Sequence, residues 1–592
     1  MINIQNKEDC CGCNACGDVC SKQAIIYNKD SEGFWYPEVD KSRCVDCGLC
    51  EKVCPIITNP KAWNTNTAKP RTFVLQHKDV KERFNSTSGC LYPEIARYYL
   101  ENGGYVAGHI FNPDYTVRGY ITSDVQDLDI LRNSKYLQSD LKGVFKEIKK
   151  LLGAGKEVLF SGCPCQVAGL KSFLRKDYPN LLTIDFVCMG IDSPKAFLKY
   201  IESLEGIYGS KVKYFKSKSK ETGWRDLTNK FIFDNGKTYF GTKAIDANLK
   251  ATFLDVLVRP ACYSCKFKGL PRISDITIGD FWRRPSREFS FVDDNTGTSY
   301  YLANSKKAEV FIQKITDHFE YKEIDVQTII EGNPNMIQCL ERPSLDRNAF
   351  YDRIDKEDYC KVVDDYFQQV HKQNRIKKFL KNSIRGFKLV HYNPLQYLRF
   401  LYYNIICSNV EANLAEDNYM IISPQTRLSL KKRSKIKLKG ICMFGDEASK
   451  ISLAEGAVLT LNKVTAPDGG VFMALANGSE MTIGYRTIIS RGFIAECTHK
   501  IRIGGFSYIG NNVIIKDNET FVFSDEQSAK KNEIDIGEHC YIGNNSTIRK
   551  GSVLNDEVAV SNSSTIAGAI PPRVRVSGNP AKIVEQNILW KI

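Results

Sequence analysis

Residues 9–20 read Asp-Cys-Cys-Gly-Cys-Asn-Ala-Cys-Gly-Asp-Val-Cys, and residues 44–55 read Cys-Val-Asp-Cys-Gly-Leu-Cys-Glu-Lys-Val-Cys-Pro. Cys10, Cys13, Cys16 and Cys20 fit C-x2-C-x2-C-x3-C; Cys44, Cys47, Cys50 and Cys54 repeat it, with Pro55 behind the last. Three thiolates two residues apart wrap a tight loop around one cubane. The fourth cysteine lies too far along the chain for that loop and reaches across to the other cluster. The spacing therefore assigns one 4Fe–4S cluster to Cys10, Cys13, Cys16 and Cys54, and a second to Cys44, Cys47, Cys50 and Cys20. Cys11 is surplus to both. Zinc sites use separated pairs and need no third cysteine in each run.

The rest of the composition agrees with a metal and redox protein. There are 21 cysteines among 592 residues, and the first residues contain no apolar signal-peptide core. Cysteines without secretion point to metal or redox chemistry rather than disulfides, and to the cytosol. The length requires several cores, and the 43% hydrophobic content suffices for them. The net charge is +14, but no nucleic-acid-binding signature accompanies it, so no nucleic-acid partner is expected. The charge gathers between Gln368 and Asn409, which holds no Asp or Glu. Its aromatic, basic helical pattern fits a connecting helix or a helix lying on an anionic membrane surface.

The fold class expected is multidomain, α/β plus β. The expected divisions are 1–60, the cysteine-rich module; 68–345, where strand-like and helix-like runs alternate as in α/β domains; 346–430, a helical linker; and 431–592. In the last of these, apolar residues recur every sixth position. The ladders are Ile483, Ile489, Ala495 and Ile501; Ile503, Ile509, Ile515 and Phe521; and Ile536, Ile542, Ile548, Leu554, Val560 and Ile566. Hexapeptide periodicity marks a β-helix, each ladder residue pointing into the stack.

Residues 4–58 resemble bacterial two-cluster ferredoxins. Five ordered runs then resemble the beta subunit of the deazaflavin (coenzyme F-420 type) hydrogenases and dehydrogenases. They are SGCLYPEIARYYLENGGYVAG from Ser88, NSKYLQSDL from Asn133, VLFSGCPCQVAGLKSFL from Val158, DFVCMGIDSPKAF from Asp185 and RPACYSCKFKGLPRISDITIGDFW from Arg259. That resemblance implies FAD, a further 4Fe–4S cluster, electron transfer to an organic partner, and a setting in polysaccharide biosynthesis. The strand ends of an α/β sheet converge on one edge, which would gather Cys165, Cys188, Cys262 and Cys265 as cluster ligands, with Cys163 as the substitute. Flavin contacts are expected at Ser88, Gly89, Lys135, Ser161, Gly162, Asp275 and Asp280. The chain departs from the family at Cys90, where glycine is usual, and at Met189, where histidine is usual; the second removes a proton carrier.

Residues 436–592 resemble the left-handed β-helix acyltransferases that acetylate sugars, down to the tail Ser577-Gly578-Asn579-Pro580-Ala581-Lys582. This implies a homotrimer. The family's general base is a loop histidine; the matching run here, Phe523-Ser524-Asp525-Glu526-Gln527-Ser528, has none, and His499 and His539 read as turn residues. Three functions follow. The first is an iron–sulfur flavoenzyme, fed by a redox protein or a reduced coenzyme, acting on a small or sugar-linked substrate. The second is a sugar O-acyltransferase, and the third a non-catalytic carrier or scaffold. No residue is assigned as a catalytic acid or base.

Overall fold

The structure, a computed structural model, describes residues 1–60, 64–282, 294–372, 375–389, 394–423, 425–518 and 532–590. It contains two compact bodies. One comprises Met1–Lys230 and Gly241–Phe367, the other Phe231–Phe240 and Gln368–Ile592.

In the first body the cysteine runs carry short helices, Ala15–Val19 and Leu49–Lys52, and Pro55 opens a third, Pro55–Thr58. Between the runs, β1 (Ile25–Lys29) and β2 (Trp35–Val39) pair antiparallel, Ile25 facing Val39. Asp30 makes the turn, its Oδ1 accepting from the backbone N–H groups of Glu32 and Phe34.

The α/β pattern from Arg71 onward becomes a nine-stranded sheet. Its strands are β3 (Arg71–His77), β4 (Tyr105–Phe111), β5 (Val117–Thr122), β6 (Ser139–Asp140), β7 (Val158–Ser161) and β8 (Leu181–Phe186). After β9 (Val212–Ser219), which lies outside that sheet, come β10 (Ile276–Asp280), β11 (Ser299–Ala303) and β12 (Phe319–Ile324). The order is β12-β3-β11-β10-β8-β7-β4-β5-β6. The centre, β10-β8-β7-β4, is parallel, and its strands are apolar because helices cover both faces. Antiparallel strands flank it.

Buried polar contacts fasten the cysteine module to this sheet. Asp18 accepts from the N–H groups of Gly143 (2.7 Å) and Phe145 (3.0 Å), capping the helix Val144–Gly153 from a distant part of the chain. Arg259, fully buried, donates to the carbonyls of Cys10 (2.7 Å) and Trp35 (3.2 Å) and to Gln138 (3.1 Å), with Tyr36 stacked 4.0 Å from its guanidinium. One compact body thus holds the cysteine-rich residues, the sheet, and the helices Arg347–Ile354 and most of Tyr359–Lys372 from the expected linker.

The second body is a parallel coil of three sheets, successive strands passing from one sheet to the next. Three steps of six residues make one turn, so Ile536 stacks against Leu554 and Ile542 against Val560. Every ladder residue from Ile483 to Ile515 and from Ile536 to Ile566 is buried in one core; Phe521 lies outside the described residues. The tail motif forms the closing antiparallel hairpin of Val574–Gly578 and Ala581–Gln586. The segment Phe231–Phe240 belongs to this body, Phe240 packing on Phe506 and His539.

Candidate functional site

The crossed-ligand assignment meets a matching cavity in the cysteine module. Cys10, Cys13, Cys16 and Cys54 line it together, walled by Ile2, Ile4, Tyr27 and Ile56. Burial pushes the Cys16 thiol up to about 12 and Cys54 up to about 11. Thiolates there need a cationic partner, which iron supplies on binding. Tyr27 Oη lies 3.3 Å from Cys16 Sγ and accepts from the Gly17 N–H. The second set receives backbone donors to sulfur: Ala24 N–H to Cys20, Asp46 N–H to Cys44 and Ile2 N–H to Cys50, at 3.2 to 3.4 Å. Cys47 is exposed. Both donor sets fit cubanes.

The strand ends of the central sheet gather the other cysteines. β7 leads through Gly162 into Cys163 and the helix Pro164–Leu174, whose first turn Gln166 caps by accepting from the Cys163 N–H at 2.8 Å. β8 leads into Cys188, and the loop before β10 carries Cys262 and Cys265. Cys165, Cys262 and Cys265 line one cavity, and Cys11 lines it with them. Cys163 contacts both Cys165 and Cys188, and Cys188 lies near Cys262. The donor set fits a third cubane.

Cys11 lines both cavities, beside Cys13 in the first and Cys165 in the second. Sequence spacing gave no sign of this, since the cavities meet only when the module packs on the helix after β7. Gly169 in that helix makes the approach possible, because a Cβ there would lie 2.8 Å from Cys13 Sγ.

The expected flavin contacts divide. Asp275 is a structural carboxylate: it accepts from the Thr183 N–H and hydroxyl and from Ser305, and ties β8 to β10 from within the core. The Gly89 N–H donates to Ser299 Oγ, and its missing side chain makes room for the Ser299 and Leu75 backbone. Ser88 donates to the Thr298 carbonyl. These three serve the sheet. Gly162 is required by Gln166, 2.9 Å from where its Cβ would stand. Asp280 pairs with Lys218. Lys135 is half-buried and donates to the carbonyls of Ile130, Leu131 and Arg132; desolvation pushes its ammonium down to about 7.

Sequence reasoning missed three neighbours. His109 on β4 sits near the Ser161 backbone, Cys163 and Lys135, and burial pushes it down to about 4. Neither of its ring nitrogens hydrogen-bonds within the described residues. Lys216 and Lys220, on and just beyond β9, are buried; their period-two spacing in Lys216-Ser217-Lys218-Ser219-Lys220 was the available signal. With Lys135 they make this region cationic, which fits a phosphate-bearing flavin in charge.

In the second body His539 stacks on Trp590 at 4.0 Å and is buried, and His499 is exposed with Nδ1 2.9 Å from Thr498 Oγ1. The run Phe523–Ser528 lies outside the described residues.

Comparison with known proteins follows this division. Residues 9–56 match the 4Fe-4S dicluster domain, and residues 155–327 match the family described as the C-terminal part of the coenzyme F420 hydrogenase/dehydrogenase beta subunit. An uncharacterized ferredoxin of Methanocaldococcus jannaschii is 35% identical over 72 residues, 11% of this chain and 92% of that protein. The chain belongs to the two-cluster 4Fe–4S ferredoxins through this segment. The polysialic acid O-acetyltransferase of Escherichia coli is 30% identical over 118 residues, 19% of this chain; the match spans 38% of that protein's length. Among solved structures, the F420-reducing [NiFe] hydrogenase complex of Methanosarcina barkeri aligns with 52% of this chain and 94% of its own, at 17% identity and a TM-score of 0.32.

Proposed function

We propose that the protein is an iron–sulfur, flavin-dependent oxidoreductase that passes electrons to an organic, sugar-linked acceptor in polysaccharide biosynthesis. The observation that carries this reading is that Cys11 lines both the cavity of Cys10, Cys13, Cys16 and Cys54 and the cavity of Cys165, Cys262 and Cys265. It joins the first cluster site to the strand ends of the α/β sheet. Clusters held by Cys10, Cys13, Cys16 and Cys54, by Cys20, Cys44, Cys47 and Cys50, and by Cys165, Cys188, Cys262 and Cys265 would supply one-electron steps, and FAD the exchange between one and two electrons. The chain's own contribution is burial. It holds His109 uncharged beside the Ser161 turn and brings the Lys135 ammonium down to about 7, where it can give up or take a proton near neutral pH.

The second body acts in this reading as a left-handed, trimer-forming coil that brings the redox unit to glycan substrates. Its leading helices also support contact with an anionic membrane. On Arg375–Leu389 and Pro394–Leu401, Ile376, Leu380, Ile384, Leu395 and Leu398 are exposed among lysines and arginines. Among the described residues, no helix is long and apolar enough to cross a membrane.

The test is cofactor content and turnover. Protein purified without oxygen is expected to hold about twelve irons and one FAD per chain, and reduced clusters should bleach the flavin. About eight irons and no flavin would leave the ferredoxin segment alone and favour a carrier. Acetyl-CoA hydrolysis stimulated by a glycan would instead favour the O-acyltransferase reading.

A further inference from the structure

Lys216 and Lys220 are 8% and 0% exposed. A buried ammonium is expected to have a carboxylate against it, because burying an unpaired charge costs far more than a hydrogen bond returns. Among the described residues neither lysine has one. The carboxylates around them are committed elsewhere. Glu221 pairs with Lys230 at 2.9 Å, Asp280 with Lys218, Asp294 with Arg83 at 2.8 Å, and Glu82 with Arg97 and Arg132, each at 3.1 Å.

Backbone carbonyls of one loop hold the two amines instead. Lys220 donates to the carbonyls of Arg83 (2.5 Å) and Ser88 (2.6 Å), and Lys216 reaches the carbonyl of Phe84 at 3.5 Å. An ammonium has three donors, so Lys220 keeps one and Lys216 two. Burial first, and then the neighbouring charge of Lys216, push the Lys220 ammonium down. Beside them stand the parallel rings of Trp224 and Trp282, 4.8 Å apart, with Lys218 facing Trp282.

We infer that Lys216 and Lys220, with the loop they clasp at Arg83–Ser88, form a binding site for a phosphoryl anion. Two like charges left buried without a paired carboxylate, with donors to spare, match the charge and acceptor-rich surface of a phosphate or diphosphate. Such a group has two sources in the reading given above, the diphosphate of the flavin or a phosphate on the sugar-linked acceptor. The inference deepens that reading without requiring its flavin.

The experiment uses the full chain, purified without oxygen and stripped of flavin. Binding of FAD and of riboflavin, which lacks phosphate, is followed by fluorescence quenching. Binding of inorganic pyrophosphate is followed by the shift in melting temperature. Lys216→Met and Lys220→Met are compared with the parent, and Lys216→Arg serves as the rescue. If the site takes the flavin diphosphate, FAD binding weakens by about tenfold or more in the Met variants, riboflavin binding stays, and Lys216→Arg restores FAD. If it takes the acceptor's phosphate, FAD binding stays and the pyrophosphate shift is lost. Equal loss of FAD and riboflavin would overturn the inference in favour of loop support, as would Met variants that keep both FAD affinity and the pyrophosphate shift. Should the parent bind no flavin, the flavin reading fails and the pyrophosphate comparison alone decides this one. Should Lys220→Met not fold, Lys216→Met carries the test.

Discussion

Cys11 and Cys165 line one cavity at the junction between the cysteine module and the helix that follows β7. The two residues lie in different sequence segments, and their proximity sets the proposed third cubane site beside the first. Among these cysteines, Cys188 is expected to be a ligand and Cys11 a neighbour. Cys188→Ser should therefore lose about four of about twelve irons. Cys11→Ser should keep them and change the line shape of the reduced clusters in electron paramagnetic resonance. Equal iron loss in both variants would make Cys11 a ligand as well.

Asp18 caps a helix it does not belong to. Its carboxylate holds the first N–H groups of Val144–Gly153, a set with no partner inside the helix. Asp18→Asn keeps one acceptor and Asp18→Ala keeps none. The alanine variant should lose about 1–2 kcal/mol in denaturant unfolding, with the asparagine variant between it and the parent. An unchanged midpoint for Asp18→Ala would mean that water replaces the cap.

Much of this was legible in advance for a physical reason. The cysteine runs and six-residue ladders are local repeats whose spacing is itself the geometry, and the ladder residues within the described range are buried as their period requires. Sites built from distant residues were not legible. Asp275 looked like a ligand because it stands in a polar run at a strand end, yet its partners are Thr183 and Ser305, brought in by sheet pairing. Cys11 seemed idle because its contact lies on another element. Lys216 and Lys220 drew no reading at all, because their partners are the backbone carbonyls of the distant loop Arg83–Ser88.

Asp192 gives a pH signature. Burial pushes its carboxyl up to about 7, and Thr252 supplies one hydrogen bond, at 3.2 Å. An acid with a raised folded pKa binds its proton more tightly folded than unfolded, so stability falls as pH rises from near 3.8 to about 7 and is level above it. Asp192→Asn mimics the protonated form. Its melting temperature should gain on the parent's between pH 5 and pH 7, with no further gain from pH 7 to pH 8. A constant difference across that range would mean that Asp192 is ionised throughout.

The helices leading into the coil provide the last test. Ile376, Leu380 and Ile384 follow one another at helical spacing and are 79%, 56% and 58% exposed. Leu395 and Ile406 are as open, at 78% and 69%. Water is a poor environment for so contiguous an apolar surface, while the cations beside it match anionic headgroups. The full chain should sediment with vesicles containing phosphatidylglycerol and not with vesicles of phosphatidylcholine alone. High salt should release it in part, because screening removes the headgroup attraction and leaves the apolar contact. Replacing Leu380 and Ile384 together by Asp should reduce binding by about tenfold or more while leaving iron content and melting temperature unchanged. If the double variant instead sediments with anionic vesicles like the parent, the exposed face does not meet the membrane. A change in its oligomeric state would then show that another copy of the chain covers that face.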